Sequence, residues 1–266
     1  YADFLRAAGR TVTRNQEDSL SWSVVESRYA AGDMNASLSS INDYLKKFPD
    51  GEFHSDALYM RSEIYQSRKD WKNALEGYAA LADKGQGKYL EKASHQAARI
   101  SYFELKEYAS AERYFTISKS VTGNREQRLD AMRGLLRSQY QLKKWKEAES
   151  NAEELLREKS ISTDDKVLAS MVRGMSAQSS GKFSDAIQHY RSVLSLNNAA
   201  YAAEARYAIA LCYFSLNDLK NAERAAFETI NKSGSYDYWI TKAYILLGDI
   251  FWKQKDYFNA KATLQS

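Results

Sequence analysis

Lys69-Asp70-Trp71-Lys72-Asn73-Ala74-Leu75-Glu76-Gly77-Tyr78 is the stretch from which the fold is read. An aromatic residue, two variable residues and a small residue are followed four positions later by a second aromatic. That last offset places Ala74 and Tyr78 on one face of a helix. The front of the string recurs as Met34-Asn35-Ala36-Ser37, Tyr108-Ala109-Ser110-Ala111, Trp145-Lys146-Glu147-Ala148, Phe183-Ser184-Asp185-Ala186, Leu219-Lys220-Asn221-Ala222 and Tyr257-Phe258-Asn259-Ala260. The small residues fall at 37, 74, 111, 148, 186, 222 and 260, so the intervals are 37, 37, 37, 38, 36 and 38. Spacing this regular makes internal repetition the organising feature of the chain.

The rest of the unit recurs around each small residue. A second alanine stands seventeen positions upstream in Ala57, Ala131, Ala169, Ala205 and Ala243, with Ser94 and Leu20 in the other two places. Nine positions upstream come Tyr65, Tyr102, Tyr213 and Phe251; four downstream come Ile41, Tyr78, Phe115, Tyr190 and Leu264. These helical offsets predict two antiparallel helices per unit, with small residues where backbones approach and aromatics filling the gaps between units. Turn residues stand where such a scheme needs them. Ala31-Gly32-Asp33, Ser180-Gly181-Lys182 and Leu216-Asn217-Asp218 precede second helices, and breaker or capping residues such as Phe48-Pro49-Asp50-Gly51, Thr122-Gly123-Asn124, Asn197-Asn198 and Ser233-Gly234-Ser235 separate units. One proline and twelve glycines in 266 residues favour helices over many short strands.

The pattern resembles the tetratricopeptide repeat, whose Gly-Asp-Tyr-x-x-Ala core is matched most closely by Lys69 to Ala74. The resemblance covers essentially the whole chain, with units slightly longer than the family's usual length of about 34 residues. It implies an all-α fold, a tetratricopeptide-type α–α superhelix or helical-hairpin solenoid. Units are expected at 18–54, 55–91, 92–128, 129–166, 167–202 and 203–240, with a truncated seventh at 241–266 and, over 1–17, the second helix of a preceding repeat and its connection. Phe4, Ala7 and Ala8 then fall on core positions of that preceding unit, and the chain is expected to be a segment of a longer array. The extended unit is similar to repeats of bacterial cell-envelope proteins, which places the expected location in the periplasm or envelope, with the cytoplasm as alternative.

Composition narrows the function. The net charge of +4 arises from scattered residues, too mild to argue for nucleic acid. Base-reading repeats also need polar side chains at fixed positions, which are not found here. No stretch is long and apolar enough to span a membrane. His54, His95 and His189 have no metal-ligand spacing, and a single cysteine, Cys212, excludes both a disulfide framework and a cysteine metal cluster. Ser179-Ser180-Gly181-Lys182 lacks the earlier glycine and the strand of a phosphate loop. Cys212 lies between Leu211 and Tyr213, where a thiol packs as a small hydrophobe. The reading is therefore a non-enzyme with no catalytic, metal or cofactor-binding residues and no cofactor.

In tetratricopeptide arrays the first helices line a concave face, so the resemblance also implies where a partner would bind. Carried onto this chain, the register selects Trp22, Tyr29, Tyr59, Phe103, Arg133, Arg137, Tyr140, Met171, Met175, Tyr207, Phe214 and Trp252 as candidate groove residues. Exposed aromatics, Met and Arg are the composition of a peptide-binding surface, and Arg133 and Arg137, one turn apart, suit an acidic segment. The competing reading makes the same aromatics ordinary packing between helices. The Lys and Asn pattern that grips chaperone C-termini has no match in the first-helix pairs Trp22 and Glu26, Tyr59 and Glu63, or Arg133 and Arg137. The function expected is a protein-protein interaction scaffold or adaptor holding a peptide or protein segment. The alternative is a regulatory or substrate-recruiting segment of an enzyme whose catalytic domain lies outside this chain.

Overall fold

The structure is a computed structural model that describes residue 9, residues 11–196 and residues 199–265. The expected helix around Phe4, Ala7 and Ala8 and the Asn197-Asn198 connection lie outside the described residues. Among these, the chain is helical with no strand. Its helices are α1 Arg14–Ala30, α2 Met34–Lys47, α3 His54–Ser67, α4 Trp71–Asp83, α5 Leu90–Arg99, α6 Tyr108–Val121, α7 Arg125–Gln141, α8 Trp145–Arg157, α9 Thr163–Ser179, α10 Phe183–Ser195, α11 Ala199–Ser215, α12 Leu219–Lys232, α13 Asp237–Lys253 and α14 Tyr257–Leu264. Helix α5 runs on into a π turn over Ile100–Glu104. The helices pair as antiparallel hairpins, and the chain divides into two compact units, residues 1–134 and 135–266.

One turn, repeated seven times, closes the hairpins. The second residue before each second helix lies in left-handed backbone: Gly32, Lys69, Lys106, Lys143, Gly181, Asn217 and Lys255, at φ between 56° and 76°. The next amide reaches back five positions along the turn, as in Asp70 N–H to Tyr65 C=O at 2.9 Å and Asp256 N–H to Phe251 C=O at 2.9 Å. This pair of bonds satisfies the last carbonyls of the first helix. An aspartate then caps the second helix at Asp33, Asp70, Asp218 and Asp256, its carboxylate accepting from the amide three residues on. At Asp70, Asp218 and Asp256 the residue on that amide is an asparagine, whose side chain also donates to the capping carboxylate.

The small residues of the sequence repeat are the contact points. Ser37, Ala74, Ala111, Ala148, Ala186 and Ala222 are fully buried and Ala260 is 4% exposed; their upstream partners Ala57, Ser94, Ala131, Ala169, Ala205 and Ala243 are fully buried too. In the first unit α1 to α6 pack in sequence, with Trp22, Val25, Ile41, Tyr44, Phe48, Ala57 and Ile64 forming one core. Tyr44 hydroxyl donates to Asp18 at 2.5 Å and accepts from Phe53 N–H at 3.1 Å, while Asp18 also accepts from Glu52 N–H at 2.8 Å, so a buried carboxylate ties the connection to α1. In the second unit α8 to α14 pack in sequence, and the first helices α9, α11 and α13 also touch one another.

The left-handed position carries strain wherever it is not glycine, because Cβ crowds the following carbonyl. Lys69→Gly is expected to raise stability by about 0.5–1 kcal/mol and Gly181→Ala to lower it by about 1 kcal/mol. Urea unfolding of the two variants beside the parent checks both signs.

Candidate functional site

The first-helix face of the first unit is built around tyrosines. Tyr59 of α3 stacks on Tyr89 at 4.3 Å and meets Tyr78 edge-on at 5.7 Å, while Tyr89 hydroxyl donates to Asp56 at 2.9 Å. Tyr78 hydroxyl donates to Gln66 at 2.7 Å, and the Gln66 amide in turn donates to Gln96 at 3.4 Å. Burial, reinforced by the Glu63 carboxylate, pushes the Tyr59 phenol up to about 12, so it remains a donor. Beside this cluster Gln66, Trp71, Gln96, Arg99 and Phe103 line a cleft of about 350 Å³. Phe103 is 40% exposed, with the Arg99 guanidinium 5.3 Å from its ring centre.

The second unit carries the more strongly polar arrangement. Tyr140, near the end of α7, donates its hydroxyl to Glu204 of α11 at 2.6 Å, reaching across the intervening hairpin. Burial raises the Glu204 carboxyl above its ordinary value, an effect opposed by the Tyr140 hydrogen bond and by Lys242. Lys242 of α13 lies 5.6 Å from the centre of Tyr207, 4.9 Å from Tyr238 and 5.5 Å from Trp239. Arg137, one turn before Tyr140, acts electrostatically on Tyr201 and, among the described residues, makes no hydrogen bond or ion pair.

The structure divides the residues chosen from sequence. Trp22 is 5% exposed, stacked on Phe53 at 5.3 Å, and Met171 is fully buried in the core of the second unit. Both belong to packing and present no surface to a partner. Met175 is partly buried against the same core. Tyr29, Tyr59, Arg133, Arg137, Tyr140, Tyr207 and Phe214 are partly exposed, and Trp252 is 66% exposed with Tyr257 edge-on at 4.9 Å. Phe214 carries Lys253 at 4.8 Å from its ring.

The recurring reason is a ladder of rings between neighbouring hairpins. Trp22 pairs with Phe53, Tyr59 with Tyr89, and Tyr207 with Trp239, each partner opening the next first helix. Sequence reasoning missed Tyr89, Tyr201, Glu204, Trp239 and Lys242 because it looked only at mid-helix positions. Aromatic pairs spaced by 30 to 32 residues were the available signal.

Groups that could mimic an active site are closed off. Ser118 hydroxyl lies 3.4 Å from His95 Nδ1 and His95 Nε2 lies 3.6 Å from Asp130, a serine, histidine and carboxylate in series. Ser118 is fully buried, and Asp130 is bound to Arg99 at 3.0 Å, so no substrate atom reaches the hydroxyl. Cys212 is fully buried and desolvation pushes its thiol up to about 12, the reverse of an activated nucleophile. Among the described residues no group of three or more His, Cys, Asp or Glu is placed to hold a metal, and no helix is long and apolar enough to cross a membrane.

Residues 171–237 and again 241–266 match the family profile described as Tetratricopeptide repeat. Over those residues the chain carries tetratricopeptide repeats. No curated protein matches it by sequence. Its fold is similar to those of several solved structures. The apo form of RapI is 15% identical with a TM-score of 0.59, covering 93% of this chain and 74% of that one. The apo form of the quorum sensor NprR from B. thuringiensis is 16% identical with a TM-score of 0.51, covering 97% and 77%. The structure of Naa15/Naa10 bound to HypK-THB is 14% identical with a TM-score of 0.58, covering 98% of this chain and 38% of that one. At such identities the likeness is one of fold.

The raised Glu204 carboxyl gives the tetratricopeptide array a pH signature. A carboxyl with a folded value above its unfolded one binds protons more readily when folded, so its contribution favours the folded state at low pH. That contribution is lost as pH rises from the ordinary 4.5 through the raised value. Glu204→Gln keeps an acceptor for Tyr140 and removes the titration. Urea melts at about pH 4 and pH 7 are expected to show the parent losing stability relative to the variant as pH rises.

Proposed function

We propose that this chain is a non-catalytic scaffold or adaptor that binds an extended peptide or protein segment on its first-helix face. The observation that carries the reading is Arg137: a half-buried side chain beside Tyr201 whose guanidinium, among the described residues, has neither hydrogen bond nor ion pair. Its N–H groups are therefore open to the carboxylate of a bound segment. Nearby Tyr140, Tyr207 and Trp239 offer large rings that gain contact area at little entropic cost, the makeup of an anchor surface.

Several features support the reading. The closed arrangement of Ser118, the pacified Cys212 and the repeat itself all favour holding over chemistry. Similar folds include a quorum sensor and an assembly bound to HypK-THB, settings that accord with a fold used for contact with other molecules. The mild, scattered charge and the changing residues at first-helix positions favour a protein segment over nucleic acid.

Arg137→Glu reverses the charge without removing a hydrogen bond or ion pair seen among the described residues. Fluorescence anisotropy with a labelled Glu-rich peptide at low salt is expected to show binding by the parent and a loss of about tenfold or more in the variant, with the helical spectrum unchanged. Equal affinity in both chains places the binding surface elsewhere.

A further inference from the structure

Helix α9 has a second face. Arg173 is two residues from both Met171 and Met175, which turns it to the side of the helix away from them. There it lines a cleft of about 320 Å³ between α8, α9 and the start of α10, together with Glu149, Ser180, Lys182, Gln188 and His189. Apart from Ala177, the residues lining this cleft are polar or charged.

Two cations, Arg173 and Lys182, and two carboxylates, Glu149 and Asp185, line the cleft, and three observations set the cations apart. The Arg173 Nε is shielded from water and has no hydrogen-bond partner, and among the described residues the side chain makes no ion pair. A shielded donor left in this way is open to an acceptor that a ligand brings. The two carboxylates at the cleft have local uses: Glu149 accepts from Ser176 hydroxyl at 2.7 Å, and Asp185 sits in the first turn of α10, where a negative charge suits the helix dipole. Finally, α10 is entered through Lys182, which makes no side-chain cap, in contrast to the aspartates that cap α2, α4, α12 and α14. Where those helices have a carboxylate at the entry, this one has an ammonium group.

We propose that this cleft binds a phosphate group, free or esterified, with Arg173 and Lys182 as its charged donors and His189 as a further donor. Guanidinium and ammonium groups suit a tetrahedral oxyanion, the first through paired N–H groups and the second as a point charge. The volume leaves room for a small substituent on the phosphate. The site is separate from the first-helix face, so it stands or falls independently of the peptide-binding reading.

His189 is the natural reporter. Burial, and then the Arg173 charge, hold its imidazole below the ordinary range, while Asp185 and Glu149 act the other way; Lys182 also faces the cleft. A bound dianion adds negative charge beside the ring and raises its pKa. The test follows the His189 ring signals of the whole chain by NMR during titration with inorganic phosphate, with sodium chloride holding ionic strength constant. A saturable shift with a Kd of about 1 mM, a raised His189 pKa, and about tenfold weaker binding in both Arg173→Gln and Lys182→Gln are expected. Lys182 is exposed, so its variant tests the site without risk to the fold. O-phosphoserine shifting the same signals assigns the esterified form, and inorganic phosphate alone doing so assigns the free ion. A response to phosphate no larger than to chloride, or one unchanged in both variants, overturns the proposal.

Discussion

The close approach of two helix backbones at a small residue is the contact on which the rest of this structure depends. Ala186 shows why. It is fully buried between α10 and the cores of neighbouring helices, among Val167, Met171, Tyr190, Ala205 and Cys212. A larger side chain there pushes the hairpin apart, and the ring of Tyr190, four residues on, loses its place against Gly174, where an added Cβ stands 2.4 Å from the ring. The left-handed turn, followed at four of the seven hairpins by an aspartate cap, closes the hairpin; the small residue lets its helices touch.

That constraint was legible in the sequence because it is periodic. Ser37, Ala74 and their five successors share one spacing and one environment, and burial at all seven follows from that spacing. What the spacing does not encode is how a given ring is used. Trp22 is 5% exposed beneath Phe53, whereas Trp252, with Tyr257 edge-on to its ring, is 66% exposed. The π turn at Ile100–Glu104 was likewise hidden. It depends on bonds such as Leu105 N–H to Ile100 C=O at 3.1 Å, and no residue type marks it in advance. Lysine at the left-handed positions is similarly unannounced, since glycine or asparagine is the usual sign of such a turn.

The surfaces follow from the same economy. Small residues and rings are consumed by stacking, so what remains for a partner is the polar and charged set between the rings: Arg137 and Glu204 on the first-helix face of the second unit, Arg173 and Lys182 on its other side. Glu204 illustrates how such a group is tolerated. Its burial is offset by the Tyr140 hydroxyl and the Lys242 ammonium, whereas Arg137 and Arg173 make no ion pair within the described residues.

The most direct measurement of the central contact compares Ala186→Phe with Ser184→Phe by urea unfolding. The two sites lie two residues apart on α10, one fully buried at the crossing and the other exposed. If the small residue sets the stacking, the first variant loses about 1–3 kcal/mol or more and the second stays within about 0.5 kcal/mol of the parent. Equal stability of the two variants contradicts the account.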